Sequence, residues 1–309
     1  MDNFRVQHQA RLDSFLSSAK GDLSRSKANK LIKSGSVQVN GKVIKKAAFV
    51  LKEDDQVSII GDIPKESKNE YVPTNLNLEI LYEDDACFVI NKPAGISVHP
   101  AATIGKDEKT ILNGIAYLFK KKGLKFSPDA TLVHRLDKET TGCLLIAKTP
   151  EAHGKFQKQF EERTVKKFYL TLVAGVPSPA QALIDAPIGR NLINRTVMSL
   201  FRTGKSRAAK TTYKTLKSTD DAALLECELH TGRTHQIRVH LNSINHPILG
   251  DPTYCTSKSQ ETSEKYGITG LCLHSQKLEF DSLYSGNRVR VEAPVPQHLL
   301  DTMEELSEK

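Results

Sequence analysis

From residue 76 onward, short apolar runs follow one another with few helical periods between them. This spacing limits the fold more than any other feature of the 309-residue chain. LEILYED, CFVINKP, TLVHRLD, CLLIAKT, KKFYLTLVAG, LLECELH, LHSQKLEF and NRVRVEAP each read as a strand. Consecutive strands without regular helical crossovers favour a mixed α+β sheet over a doubly wound one. Three helices interrupt them. Thr110 opens one, with Ile111, Ile115 and Leu118 on its apolar face and Gly123 at its end. Pro150 takes the first helical position of EAHGKFQKQFEER, where a missing N–H costs nothing. THQIRVHLNSI carries Ile237, Leu241 and Ile244 at helical spacing. The polar stretch 256–270, TSKSQETSEKYGITG, reads as a mobile surface loop.

Residues 1–60 read as a separate compact unit. Arg11, Leu12, Phe15 and Leu16 have helical spacing, and Ser24 caps a second helix whose apolar face is Ala28, Leu31 and Ile32. Gly35 suits the left-handed position that ends it. The alternating SVQVNGKVI then turns at Asn40-Gly41, a strong hairpin signal. Residues 61–75, with Pro64 and Pro73, read as a linker to a larger domain, residues 76–309.

The formal net charge of +8 favours polyanionic partners only weakly, so its distribution matters more. Arg25, Lys27, Lys30 and Lys33 line the second helix of the small unit, and Lys42, Lys45 and Lys46 follow. Between Ile188 and Lys217 stand Arg190, Arg195, Arg202, Lys205, Arg207, Lys210, Lys214 and Lys217 with no acidic residue among them. A single-sign stretch of this kind repels itself unless it meets a polyanion. An exposed loop with incidental charge is the plainer reading.

The remaining composition excludes several classes. A chain with 39% hydrophobic and 26% charged residues folds as a globular protein. It has no apolar run of about 18 residues and no secretory h-region after Met1, so a cytosolic protein without a membrane partner is expected. Cys87, Cys143, Cys227, Cys255 and Cys272 form no C-x-x-C pair and read as small buried apolar residues. His235 and His240 stand five apart, off one helical face, so no metal site is expected.

Two clusters carry chemistry. In HRLDKETTG, Asp137 ends a strand before a Thr-Thr-Gly turn, with His134 and Arg135 biasing its carboxylate toward the ionised form. Taken alone, such an aspartate is more often a turn former. In TGRTHQIRVH, Gly232 permits a tight turn, and Arg233 near a helix start can pair bidentately with a carboxylate or phosphate.

These segments resemble two known families. Residues 8–60, with RLD-x-x-L followed by S-R-S-x-A-x-x-L-I-x-x-G-x-V-x-V-N-G, resemble the S-four-like RNA-binding domain. YEDDACFVINKPAGISVHP, LVHRLDKETTGCLLIAKT, KKFYLTLVAG, TGRTHQIRVHLNSINHPILGDPTY and LCLHSQKLEF, over about residues 78–296, resemble the RluA/RluD-type pseudouridine synthases. The resemblance implies a mixed, largely antiparallel sheet with a central cleft, and no metal or organic cofactor. It also implies Asp137 as catalytic aspartate, Tyr169 as active-site tyrosine and Arg233 as the arginine paired with the aspartate. Arg135 then fills the space left by a flipped nucleotide. One departure is Asp281-Ser282 after Phe280, where many relatives have His-Pro.

The implied reaction breaks a carbon–nitrogen glycosidic bond, turns the uracil and forms a carbon–carbon bond at the same sugar. A carboxylate can act as nucleophile on the sugar or as base on its 2′ proton, and the sequence leaves both routes open. A non-enzymatic RNA-binding assembly factor needs no Asp137, Tyr169 and Arg233 set. An aminoacyl-tRNA synthetase needs nucleotide-binding signatures that are absent. VHP after the NKP segment and HPILGDPTY resemble the RluD type, so the expected partner is large-subunit ribosomal RNA or its assembly intermediate, with other ribosomal sites or tRNA as the alternative. A monomer is expected.

Overall fold

The computed structural model describes residues 2–20, 23, 25–61, 71–100, 108–194, 197–200 and 206–305. Ser24, Arg195, Phe201, Arg202, Lys205 and most of the expected linker lie outside these residues, as does the side chain of Arg25. The chain divides into two compact units, Met1–Tyr71 and Val72–Lys309. Val72 already belongs to the second, since its carbonyl accepts from the Asn113 side chain at 3.1 Å.

The first unit runs β1 (Asp2–Arg5), β2 (Ala10–Arg11), α1 (Leu12–Ala19), α2 (Arg25–Lys33), β3 (Val37–Val39), β4 (Lys42–Val43), β5 (Val50–Leu51) and β6 (Gln56–Ile59). A four-stranded sheet in the order β1-β6-β3-β4 meets both helices around Leu12, Leu16, Ala28, Leu31, Ile32 and Val57. The end of α2 follows from its residues: Gly35 N–H donates to Ile32 and Ser36 N–H to Leu31, with Gly35 at φ 79°. Asn40 and Gly41, both with positive φ, turn β3 into β4. Lys30, Lys33, Lys42, Lys45 and Lys46 are all exposed on this unit.

The second unit contains β7 (Glu79–Glu83), β8 (Cys87–Lys92), α3 (Ile111–Lys121), β9 (Thr141–Ala147), α4 (Pro150–Glu161), β10 (Lys166–Ala174), β11 (Gln181–Asp185), β12 (Gly189–Arg190), β13 (Met198–Ser199), β14 (Lys210–Ser218), β15 (Ala222–Leu229), α5 (Gln236–Ser243), α6 (Ser257–Lys265), β16 (Leu273–Asp281), β17 (Arg288–Glu292) and α7 (Gln297–Glu305). Its main sheet has the order β11-β14-β15-β10-β16-β9-β8-β7, with β17 pairing β16. The pairings are antiparallel except β16 with β9. The fold is therefore mixed α+β with a large, mostly antiparallel sheet. At the parallel junction Gly142 (φ 103°) faces Ser275, where a Cβ would come within 2.3 Å of the carbonyl oxygen. Among the described residues no helix is long and apolar enough to cross a membrane.

Several expectations change. TLVHRLD is not a strand: Leu132 makes one isolated bridge to Ile146, and the segment then leaves the sheet. Side chains replace the missing ladder there, as His134 Nε2 accepts from Leu145 N–H at 2.9 Å. Residues 256–270 are not a loop but hold α6. Thr256 and Ser259 cap it, and Thr262 and Ser263 are buried because their hydroxyls bond to Lys258 and Ser259 carbonyls. The basic stretch 188–217 is not one arm. Lys210, Lys214 and Lys217 belong to β14, and Lys210 pairs with Asp185 at 2.8 Å. Cys255 is exposed, whereas the other four cysteines are buried.

Candidate active site

Asp137 sits in the irregular segment before β9, held from below by a buried lysine. Lys92 ends β8 with no exposed surface, and its ammonium donates to the carbonyls of Pro93 (2.7 Å), Lys138 (2.8 Å) and Thr140 (2.9 Å). Three oriented carbonyl dipoles let a lysine stay buried, although burial lowers its pKa to about 8 against the opposing charges of Glu139 and Asp137. The loop that presents Asp137 is thereby pinned just after it, at Lys138 and Thr140. Sequence reasoning gave Lys92 no role; its one signal was a lysine closing the apolar run CFVIN.

The carboxylate is a quarter exposed and accepts from Arg238 Nη1 at 3.2 Å through Oδ2. Among the described residues no hydrogen bond reaches its Oδ1. Arg238 lies on α5, is itself buried, and forks onto Asp251 through Nε (2.7 Å) and Nη2 (2.9 Å). Asp251 also accepts from the backbone of Thr253 and Tyr254. Burial opposes both charges, yet this pairing holds Asp251 below and Arg238 above their ordinary pKa values. The fork fixes the guanidinium so that one remaining N–H points at Asp137.

The arginine expected at Asp137 is thus corrected. Arg233 precedes α5, and its Nε donates to the Ala208 carbonyl at 3.1 Å instead. TGRTHQIRVH holds two arginines, and the start of α5 at Gln236 puts the second on the face toward Asp137. His235, between them, adopts a left-handed φ of 56°. Its Nδ1 meets Tyr254 Oη at 2.9 Å and its Nε2 lies 4.0 Å from Asp137 Oδ2. Burial lowers its pKa. Tyr254 Oη in turn accepts from Met198 N–H at 2.9 Å, tying the β12–β13 hairpin to this corner.

Tyr169 comes from β10, at the point where the pairing with β16 slips between Phe168 and Leu170. Such a bulge re-aims a side chain. The ring is buried and its hydroxyl bonds to Ser275; burial, then the charge of Asp137, raises its pKa, so it is a protonated donor at neutral pH. Arg135 is exposed and its Nη1 lies 3.1 Å from His99 Nε2. His134 contributes no charge to Asp137: loss of hydration, then Lys167, pushes its pKa down to about 3, and its ring stacks on Phe160 at 4.9 Å. Arg190 lies on β12, Arg207 bridges to Ile188, and Lys27 is half-buried on α2. Neither Arg190 nor Arg207 bonds to Asp137.

A partly exposed carboxylate oriented by a buried arginine, beside an enclosed tyrosine, suits an isomerase acting by general acid–base or nucleophilic chemistry. The basic α/β unit preceding it in the chain suits an enzyme whose substrate is RNA. Residues 86–243 match the RNA pseudouridylate synthase family, and residues 10–57 match the S4 domain. The chain is 37% identical over 294 residues to ribosomal large subunit pseudouridine synthase D of Zymomonas mobilis, covering 94% of this chain and 91% of that protein. It is 37% identical over 301 residues to an RNA pseudouridine synthase of Bacillus subtilis, covering 97% and 95%. Among solved structures it is similar to human RNA pseudouridylate synthase domain containing 4, with TM-score 0.60, 28% identity and coverage of 74% and 93%. The chain belongs to the RNA pseudouridylate synthase family, and its members are isomerases.

Proposed function

We propose that this protein isomerises uridine to pseudouridine in large-subunit ribosomal RNA, with Asp137 as the reacting carboxylate. The observation that carries the assignment is the half-satisfied carboxylate: Oδ2 is held by Arg238, while no described residue bonds to Oδ1. One oxygen is fixed and the other faces the reaction, as attack on the sugar or removal of its 2′ proton requires. Tyr169 gives or relays a proton and walls the base. The uridine must leave its stack, which costs roughly a few kcal/mol, and Arg135 takes the vacated space. The ribosomal target is supported by the name borne by the Zymomonas mobilis relative. On this reading the protein works as a monomer in the cytosol, without metal or organic cofactor, and RNA is its partner.

The test is to map pseudouridines by carbodiimide-dependent reverse-transcription stops in cells lacking the gene, complemented with wild type or Asp137→Ala. Stops in large-subunit ribosomal RNA that return with wild type alone support the reading. Equal rescue by Asp137→Ala removes the carboxylate from the chemistry, and stops confined to tRNA move the substrate there.

A further inference from the structure

Several cations gather near the strand that bears Tyr169. Lys167 lies two residues before Tyr169 on β10, with its ammonium 5.7 Å from the centre of the Phe160 ring. Arg233, two residues before His235, donates to the carbonyl of Ala208, next to Arg207. Arg163 follows α4 in a left-handed conformation (φ 60°) and lines a cavity of ≈ 290 Å³ together with Lys166, Lys210, His230 and one carboxylate, Glu228.

The partners of these groups separate them into two kinds. Lys166 has Glu228 at 3.0 Å and Lys210 has Asp185 at 2.8 Å. Among the described residues no carboxylate pairs with Arg163, Lys167, Arg207 or Arg233. Lys167 and Arg233 instead have like charges around them. Burial, then Arg163 and Arg233, lowers the pKa of Lys167 to about 8; burial, then Arg207 and Arg163, lowers that of Arg233. Like charges that oppose one another in this way are costly until an anion joins them.

We propose that Arg163, Lys167, Arg207 and Arg233 form a clamp for a backbone phosphate of the RNA, adjoining the uridine bound at Asp137 and Tyr169. The proposal rests on the RNA reading above and names part of its substrate site. Planar guanidinium forks match phosphate oxygens bidentately, and a phosphodiester is the anion a nucleotide carries wherever its base is bound. The clamp also gives Arg233 a purpose that does not involve Asp137. It is a binding element and takes no part in bond breaking.

The test uses the full chain and a large-subunit ribosomal stem-loop transcript. The affinity is measured against salt concentration, and pseudouridine formation at saturating RNA. Arg163→Gln/Arg233→Gln is expected to raise Kd roughly tenfold. It should also flatten the salt dependence by about 0.7 in log–log slope for each phosphate that is no longer neutralised. Turnover at saturating RNA should persist, because uniform binding is what has been removed. Arg163→Lys/Arg233→Lys should restore most of the slope, and Lys265→Gln, which removes a cation paired with Asp221, should leave it as in wild type. An unchanged slope and Kd in the glutamine double variant would overturn the clamp. So would loss of turnover at saturating RNA with unchanged Kd, which would return Arg233 to the chemistry. A wild-type protein that makes no pseudouridine in any RNA would sink the enzymatic reading instead, and the salt slopes would still decide the clamp.

Discussion

Arg238 gives Asp137 a single hydrogen bond of 3.2 Å while its fork is committed to Asp251 at 2.7 and 2.9 Å. The carboxylate is oriented by a cation whose charge is already largely offset, so it keeps its own negative charge available. Arg238→Lys keeps the charge but loses the fork. Turnover is expected to fall about 10²-fold or more, as when one oriented donor is removed from an active site. Stability should fall by roughly 3–5 kcal/mol at most, the cost of leaving a buried carboxylate unpaired. Pseudouridine formation and urea unfolding check the two effects separately.

Tyr169→Phe removes a hydroxyl that bonds to Ser275 and feels the charge of Asp137. Turnover should fall by about 10²–10⁴, the range for a positioned proton donor or acceptor. RNA affinity should stay near that of wild type, because the ring and its packing remain. Gel-shift affinity alongside single-turnover rates checks this, and full activity would strip Tyr169 of its role.

Lys92 makes a pH prediction. Its three carbonyl partners use all three ammonium hydrogens, and its pKa is lowered to about 8. As pH rises through that value the amine keeps two hydrogens, one carbonyl loses its donor, and the loop bearing Asp137 loosens. Turnover at saturating RNA should therefore decline above about pH 8, whereas Lys92→Met should be weakly active with no such limb. Lys167 titrates in the same range but should act on RNA affinity, so saturating RNA separates the two.

His134 sets an acid limit on stability. Its folded pKa of about 3 lies below the ordinary 6.5, so the unfolded chain takes up the proton first as pH falls. The stabilisation is complete above pH 6.5 and is lost toward pH 3, at up to about 1.4 kcal/mol per pH unit. His274, lowered to about 4, adds to the same trend. His134→Phe keeps the stack on Phe160 and should flatten the decline of the urea midpoint between pH 6.5 and 4.5.

Much of this architecture was legible because strand alternation, the Asn40-Gly41 turn and the helix punctuation at Thr110, Thr149-Pro150 and Gly35 are local signals. What escaped depends on distant partners. TLVHRLD alternates like a strand, yet the Lys92 ammonium and the His134 ring satisfy backbone groups that a ladder would have paired. α6 was hidden by its polar composition, although Thr256 and Ser259 already spelled its cap. The choice between Arg233 and Arg238 turned on where α5 begins, and a left-handed histidine just before it carries no signature in the sequence.

The place of β16 has a consequence for synthesis. Asp137 precedes β9 and Tyr169 lies on β10, and these two strands reach each other only through β16, which the ribosome makes more than a hundred residues after Asp137. A nascent chain that has emerged only as far as α6 carries every candidate catalytic side chain but holds them on two separate half-sheets. The site should therefore be without catalytic activity until β16 has been made, and a frameshift between Lys265 and Leu273 should abolish turnover without touching Asp137, Tyr169 or Arg238.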